Sequence, residues 1–228
     1  MTSTKNLART AGLLYLLVAI GGGFSQAVRL SATVSGDAAA TAANVARGAT
    51  LFHVGFVADM LDFASFLGVG LLLYALLRHV SPVVAVAMLT INAVSVAIQA
   101  MNMLTQLAAM FVAGDARYSG ATLLLLQMHQ QGYLIAQIFF GGYLLPLGYL
   151  VFRSGLFPKA LGVVLAAGGA GYLAGVAASW ISPTFDSPAA VAFGIVGGLG
   201  ELAFLLWLLI KGAQPATISR EGALRWTA

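Results

Sequence analysis

The stretch LFHVGFVADMLDFASFLGVGLLLYALL, residues 51–77, decides the class of fold. It is longer than the roughly 18 apolar residues that mark a transmembrane helix, and a helix rising ~1.5 Å per residue would let it cross a hydrocarbon core ~30 Å thick. Asp59 and Asp62 nevertheless stand three positions apart near its middle. The stretch therefore predicts a membrane span, and it raises the question of what keeps two carboxylates inside it.

The rest of the chain is equally apolar. Of the 228 residues, 60% are hydrophobic and 8% are charged, and the mean hydropathy is +0.94; soluble domains carry about 25% charged residues. Apolar segments separated by Gly- and Pro-containing turns cover residues 10–31, 51–77, 83–112, 122–152, 160–181 and 189–210. We predict an all-α polytopic membrane protein: a single domain over 1–210, built as a six-helix transmembrane bundle, and a polar tail over 211–228.

The basic residues predict the orientation of this bundle. One side of the membrane receives Lys5, Arg9, Arg78, Arg153, Lys159, Lys211, Arg220 and Arg225, and the other receives Arg29, Arg47 and Arg117. Because cytoplasmic loops carry the excess of Lys and Arg, we predict that both termini and the polar tail are cytoplasmic. The first 27 residues also resemble a signal peptide, but the apolar run continues past them, and we expect an uncleaved first helix.

Two local patterns add detail to the bundle. The alanine-rich segment 37–47 starts with an acidic residue and ends with a basic one, which predicts a short helix on the outer membrane surface. GxxxG spacing at Gly171/Gly175 and Gly194/Gly198 predicts close packing of span five against span six, with a homodimer interface as the alternative.

Several kinds of chemistry are excluded or unsupported. The chain has no cysteine, so disulfides, iron–sulfur clusters, thiolate zinc sites and cysteine nucleophiles are excluded. It contains no HExxH or HxxxH pair, no phosphate loop and no GxSxG elbow, and we expect no cofactor, no metal and no catalytic residue set. The net charge of +4 is explained by the orienting Lys and Arg residues, so we expect the lipid bilayer as a partner and no nucleic acid.

Three segments resemble a known family of membrane proteins. They are LARTAGLLYLLVAIGGGFS near the start, ATLFHVGFVADMLDF after the first outer loop, and GYLVFRSGLFPKALGVVLAAGGAGYL at residues 148–173. The family is domain of unknown function 4386, and the resemblance covers most of the chain. It implies a multi-spanning protein of the bacterial cytoplasmic (inner) membrane. It implies no established activity and assigns no residue a role.

Polar residues recur inside three spans besides the second. Span three carries a stripe on one helix face, spans four and six add further polar groups, and all lie between the outer third and the midplane of the membrane. We expect them to converge with the two aspartates on one polar cavity that opens outward. The candidate ligand, proton or cation site consists of Asp59, Asp62, Gln99, Asn102, Gln106, His129, Gln130 and Glu201. Arg29 is expected to reach toward the membrane surface, with a role as counter-charge to Asp59 as the alternative.

Three functions remain open on this basis. Intramembrane carboxylates commonly mark ion or solute pathways, which favours a small-molecule- or cation-binding or transport protein. A structural or assembly subunit would use the same polar groups only to pair helices. A membrane-embedded enzyme would need His129 within ~3 Å of a carboxylate, or bridged to it.

Overall fold

A computed structural model of the chain describes residues 4–181 and 188–214, and throughout these residues the regular structure is helical. The helices are α1 (Thr4–Ala32), α2 (Ala38–Arg47), α3 (Ala49–Leu77), α4 (Pro82–Val112), α5 (Ser119–Arg153), α6 (Lys159–Ile181) and α7 (Pro188–Ile210). A single 3-10 turn, Ala116–Tyr118, leads into α5. The described part of the chain contains no strand, which confirms the all-α prediction for it.

Five of the helices are long and apolar enough to cross a membrane. They are α1, α3, α4, α5 together with its 3-10 turn, and α6; the segment Gly197–Ile210 of α7 is a shorter apolar helix. The chain is therefore a multi-pass membrane protein by the length and composition of its helices. The sixth span and the side of the membrane on which the termini lie stay predictions, and most of the predicted polar tail lies outside the described residues.

The six long helices form a closed ring. Going round it, α1 contacts α3, α3 contacts α4, α4 contacts α5, α5 contacts α6, α6 contacts α7, and α7 returns to α1. Consecutive long helices lie side by side, as successive elements of a fold usually do. A ring of this kind places one face of every long helix toward a common centre.

Glycines allow the tightest contacts in the ring. A Cβ placed on Gly148 would lie 2.6 Å from the carbonyl oxygen of Gly162, so α5 and α6 touch backbone to backbone. On α6, a Cβ on Gly168 would lie 3.3 Å from the Cα of Gly197 on α7. The contact between these last two helices is thus made by small residues, the kind that lets membrane helices approach closely.

The two ends of the ring differ. At one end, called here the α2 end, the short helix α2 covers the ends of α1 and α5, with Thr41 and Val45 buried and Asp37 capping it through a 2.8 Å hydrogen bond from the Ala40 amide. The predicted short helix is confirmed. The opposite end is filled by a large apolar cluster that includes Leu73, Leu147 and Leu208.

The opposite end also gathers the described basic residues that were predicted to be cytoplasmic. There the Arg9 side chain reaches the carbonyl of Ile210 at 3.5 Å, and the amide of Gln214 donates to the carbonyl of Leu156 at 2.9 Å. The turn after α3 meets the turn after α5, where His79 lies 3.4 Å from the carbonyl of Ser154. The start of α1, the end of α7 and both of these turns therefore share one end of the bundle.

Candidate functional site: a polar cavity inside the ring

A cavity of about 350 Å³ lies inside the ring at mid-depth, and all six long helices contribute to its wall. Its polar lining consists of Asp62, Gln99, Gln137 and Glu201. Its aromatic lining consists of Tyr15, Phe66, Tyr133, Phe140 and Tyr172. The apolar cluster described above closes the ring beyond it. We call this space the central cavity.

Glu201 is held in the wall by two tyrosines from the neighbouring helices. The hydroxyl of Tyr15 on α1 donates to its Oε1, and the hydroxyl of Tyr172 on α6 donates to its Oε2 at 3.0 Å. Only 8% of Glu201 is exposed. Each carboxylate oxygen therefore has a donor, and the side chain is fixed toward the cavity between α1 and α6.

Asp62 faces the same cavity without such support. It is 9% exposed, lines the central cavity, and makes no hydrogen bond or ion pair with any residue in the described part of the chain. Its Oδ2 lies against the backbone of α1, where a Cβ on Gly22 would come within 2.9 Å. Because a buried carboxylate is normally paired, this unpartnered group is the most unusual feature of the site.

Asp59 has a different environment from Asp62, although only one helical turn separates them. The Arg29 guanidinium forms a buried ion pair with Asp59 and donates to Oε1 of Gln106 at 3.0 Å. Gln26 accepts from the same guanidinium at 3.2 Å. The expectation that Arg29 reaches toward the membrane surface is wrong, since antiparallel packing of α1 on α3 brings it to the depth of Asp59.

A second, wider cavity of about 1,090 Å³ lies toward the α2 end. Arg29, Asn102, His129 and Gln130 line it, and it shares Gln137 and Tyr172 with the central cavity. The predicted site residues are therefore distributed between two adjoining spaces. Asp62, Gln99 and Glu201 surround the central cavity, Asn102, His129 and Gln130 face the wider one, and Asp59 and Gln106 belong to the Arg29 network.

Part of the polar stripe on α4 pairs helices. Asn102 donates to the carbonyl of His129 at 2.7 Å, and Ser95 donates to the carbonyl of Ala136 at 3.2 Å, so both join α4 to α5. Asn92 donates to the carbonyl of Phe66 on α3 at 3.3 Å. The stripe also contributes to the site. On the same helix face, Gln99 lines the central cavity and Gln106 accepts a hydrogen bond from Arg29.

His129 joins α5 to α4, whereas His53 bonds to its own helix. His129 lies 3.3 Å from the carbonyl of Asn102 and 3.4 Å from the hydroxyl of Thr105, and it contacts no carboxylate among the described residues. His53 is exposed and bonds to the carbonyl of Ala49 one turn earlier on its own helix. No group of three metal-ligating side chains that could hold an ion occurs in residues 4–181 and 188–214. This geometry gives no support to an enzyme that uses His129 with a carboxylate.

Three tyrosines of the site were not predicted from sequence: Tyr15, Tyr133 and Tyr172. The sequence contains a signal for these tyrosines, because a tyrosine in a membrane helix usually lies at one of the two membrane–water interfaces and these three do not. These three stand well inside their spans, where a phenol hydroxyl needs a polar partner. Their position therefore indicates a polar interior, and Glu201 accepts hydrogen bonds from two of them, Tyr15 and Tyr172.

One further charged pair lies where the span formed by α5 and its 3-10 turn begins. In the turn before α5, Arg117 pairs with Asp115 at 2.6 Å, and both side chains are exposed. The Arg117 guanidinium holds the pKa of the Asp115 carboxyl below its usual range. The Asp115 carboxylate therefore stays ionised at mildly acidic pH, so it does not contribute to pH effects measured in the cavity.

Buried carboxylates and tyrosines inside a ring of apolar helices define a polytopic helical membrane protein with a polar interior. The chain belongs to the family described as Domain of unknown function (DUF4386), whose model matches residues 10–212. An uncharacterized protein of Archaeoglobus fulgidus is similar, with 36% identity over 85 residues. The matched stretch covers 37% of this chain and about half, 48%, of that relative. No solved structure matches the chain.

Proposed function

We propose that this protein binds a small solute in its central cavity and moves it across a bacterial cytoplasmic membrane. In this proposal α7 is a sixth span, both termini are cytoplasmic, and the α2 end faces outward. The basic residues gathered at the opposite end support that orientation, since cytoplasmic ends carry the excess of Lys and Arg.

The observation that carries the proposal is the buried carboxylate of Asp62, which has no partner among residues 4–181 and 188–214. An ionised carboxylate near the centre of a membrane costs about 2.5–3.5 kcal/mol on insertion scales. A purely structural role would give it a dedicated partner, as Asp59 has in Arg29 and Glu201 has in Tyr15 and Tyr172. Asp62 instead faces a cavity large enough for a small molecule.

The arrangement of the two cavities supports a pathway. The wider cavity and the central cavity share wall residues Gln137 and Tyr172, so a solute passing between them would pass these side chains. Beyond the central cavity, the apolar cluster closes the opposite end of the bundle. Transport would require this end to open while the α2 end closes, by rocking of helices about a fixed midplane site.

The proposal is tested with single-cysteine variants, which need no background mutations because the chain has no cysteine. In nanodiscs, Gln137→Cys should react with water-soluble methanethiosulfonates. Leu144→Cys, on the same helix and fully buried in the apolar cluster, is the matched control and should react only after denaturation in detergent. If Gln137→Cys is as unreactive as the control, no aqueous path reaches the cavity, and the proposal fails.

A structural or assembly role is the second candidate, and the helix-pairing contacts of Asn92, Ser95 and Asn102 favour it. These residues explain part of the α4 stripe without any solute. They leave Asp62 unexplained, so the two candidates differ in what they require of the cavity. An unreactive Gln137→Cys in a stable, folded protein is the result expected from the structural role.

A further inference from the structure

We propose that the solute bound in the central cavity is a small organic cation, an ammonium group carried on an apolar body. This inference rests on the function proposed above and adds the chemical class of the ligand. The charge, the aromatic lining and the size of the cavity lead to it independently of one another.

The charge of the cavity wall is one-sided. Its described lining contains two carboxylates, Asp62 and Glu201, and no Lys, Arg or His. The nearby guanidinium of Arg29 is already paired with Asp59 and bonded to Gln106. A cation in the cavity would therefore be the missing partner of Asp62, whereas an anion would meet two acidic groups and no free positive charge.

The aromatic lining suits an ammonium group rather than a bare metal ion. Phe66, Phe140 and Tyr172 line the cavity from three helices and pack on one another, with the ring centre of Phe140 5.2 Å from that of Phe66 and 5.3 Å from that of Tyr172. An aromatic ring whose face is open to a cavity attracts organic cations, quaternary ammonium groups above all. Glu201, with both oxygens already accepting tyrosine hydroxyls, adds charge without needing to ligate the cation directly.

The size of the cavity points the same way. A volume of about 350 Å³ is at the lower end of the ~300–1,000 Å³ of small-molecule sites. Metal cations need several oxygen ligands at about 2–2.6 Å, and the described residues supply no group of three acidic or histidine ligands. The remaining polar wall groups, Gln99 and Gln137, can accept from N–H donors of a primary or secondary ammonium.

The test uses Gln137→Cys in nanodiscs and a pair of reagents of similar size, the trimethylammonium-ethyl and the sulfonato-ethyl methanethiosulfonate. Each rate is divided by the rate with a small free thiol, which removes the intrinsic difference between the reagents. We expect the normalised cation-to-anion ratio to be at least about tenfold, since one unit charge within several ångströms at an effective dielectric of ~20 is worth more than a factor of ten. Asp62→Asn in the same background should reduce this ratio several-fold.

Protection by an added solute gives a second readout that needs no further substitution. Choline should slow the labelling of Gln137→Cys, whereas its uncharged carbon isostere, dimethylbutanol, should not at the same concentration. The isostere has the same shape, so a difference between the two reports charge recognition rather than filling of an apolar space. If Asp62→Asn fails to accumulate, Glu201→Gln and this protection experiment decide the question.

The outcomes separate this inference from the proposed function. No labelling by either reagent means that the cavity is closed to water, and the proposed function fails with the inference. Labelling by both reagents at equal normalised rates, or faster by the anion, together with no protection by choline, overturns the organic cation and leaves a solvated cavity for a solute of another class. A high ratio with selective protection by choline is the expected result.

Discussion

Arg29 on α1 and Asp59 on α3 form an ion pair inside the helix bundle, with 10% and 3% of their side chains exposed. Gln106 on α4 accepts a hydrogen bond from the same guanidinium, so one arginine joins three helices at one depth. The pair lies beside the wider cavity, which Arg29 lines, and one turn of α3 away from Asp62. It fixes the α2 end of the ring next to the proposed solute path.

Removing one member of this pair should be strongly destabilising. Arg29→Ala leaves Asp59 as an uncompensated buried charge, and we expect it to lower the free energy of unfolding by about 3–5 kcal/mol. The double variant Arg29→Ala, Asp59→Ala should recover a large part of that loss, because no orphan charge remains. Unfolding in mixed micelles measures Arg29→Ala, Asp59→Ala and the double variant, and a double-variant loss equal to the sum of the two single losses would show that the pair is not coupled. Arg117→Ala, at the exposed pair with Asp115, is the control and should change little.

The two aspartates of α3 should respond oppositely to the same substitution. Asp59→Asn removes the counter-charge of Arg29 and should lower the apparent melting temperature by several degrees. Asp62→Asn removes a carboxylate with no partner in the described chain, and should leave the melting temperature unchanged or raise it, because an amide costs less than an ionised carboxylate in apolar surroundings. If both variants lose stability equally, Asp62 has a structural partner, and the solute hypothesis loses its main support.

The tyrosine pair on Glu201 should contribute to stability through its hydrogen bonds. Tyr172→Phe removes one 3.0 Å bond to the carboxylate without changing the ring, and we expect a loss of about 1–3 kcal/mol in the free energy of unfolding. Tyr149→Phe is the matched control, because Tyr149 is 49% exposed. Equal effects at the two positions would mean that the bond to Glu201 does not stabilise the fold.

The Asn102 side chain packs against α5 at Gly132, where only a glycine leaves room for it. A Cβ on Gly132 would overlap the Asn102 amide, which donates to the carbonyl of His129. Gly132→Ala should therefore push α4 and α5 apart and cost about 1–3 kcal/mol in the free energy of unfolding. Gly23→Ala on α1, where a Cβ meets nothing within 4 Å, should not destabilise, since Ala favours the helix. The opposite order of the two melting temperatures would contradict the packing described here.

The cation preference of the cavity should depend on pH. Protonation of Asp62 and Glu201 removes the negative charge that attracts the cationic reagent, so the normalised rate ratio at Gln137→Cys should fall once the pH is low enough to protonate them. The charged groups nearest Asp62 are Asp59 and Arg29, and they compensate each other. Asp115 cannot produce the effect, because Arg117 keeps its pKa below the usual range. A ratio that stays constant down to the lowest pH at which the protein remains folded would show that the preference does not come from titrating carboxylates.

Hydropathy and turn residues alone were enough to predict the helical class, the five helices that are long and apolar enough to cross a membrane, and the short helix α2. These features depend on local sequence: a long apolar run has only a helix with which to satisfy its backbone in lipid, and Asp37 and Arg47 mark the ends of α2 within a few residues. The same local reasoning identified the carboxylates and amides that make a polar interior. Family membership over residues 10–212 also follows from the sequence.

Which of these carboxylates finds a partner, and which partner it finds, depends on the tertiary structure. Asp59 and Asp62 have the same spacing, charge and helix, yet Asp59 meets Arg29 and Asp62 meets a cavity, because α1 places an arginine beside one and Gly22 beside the other. Likewise Tyr15 and Tyr172, 29 residues or more from Glu201 in the chain, reach it only because α1 and α6 flank α7 in the closed ring. Helix periodicity tells which residues share a face, but the neighbour of that face depends on how the whole ring closes, and no local pattern contains that information.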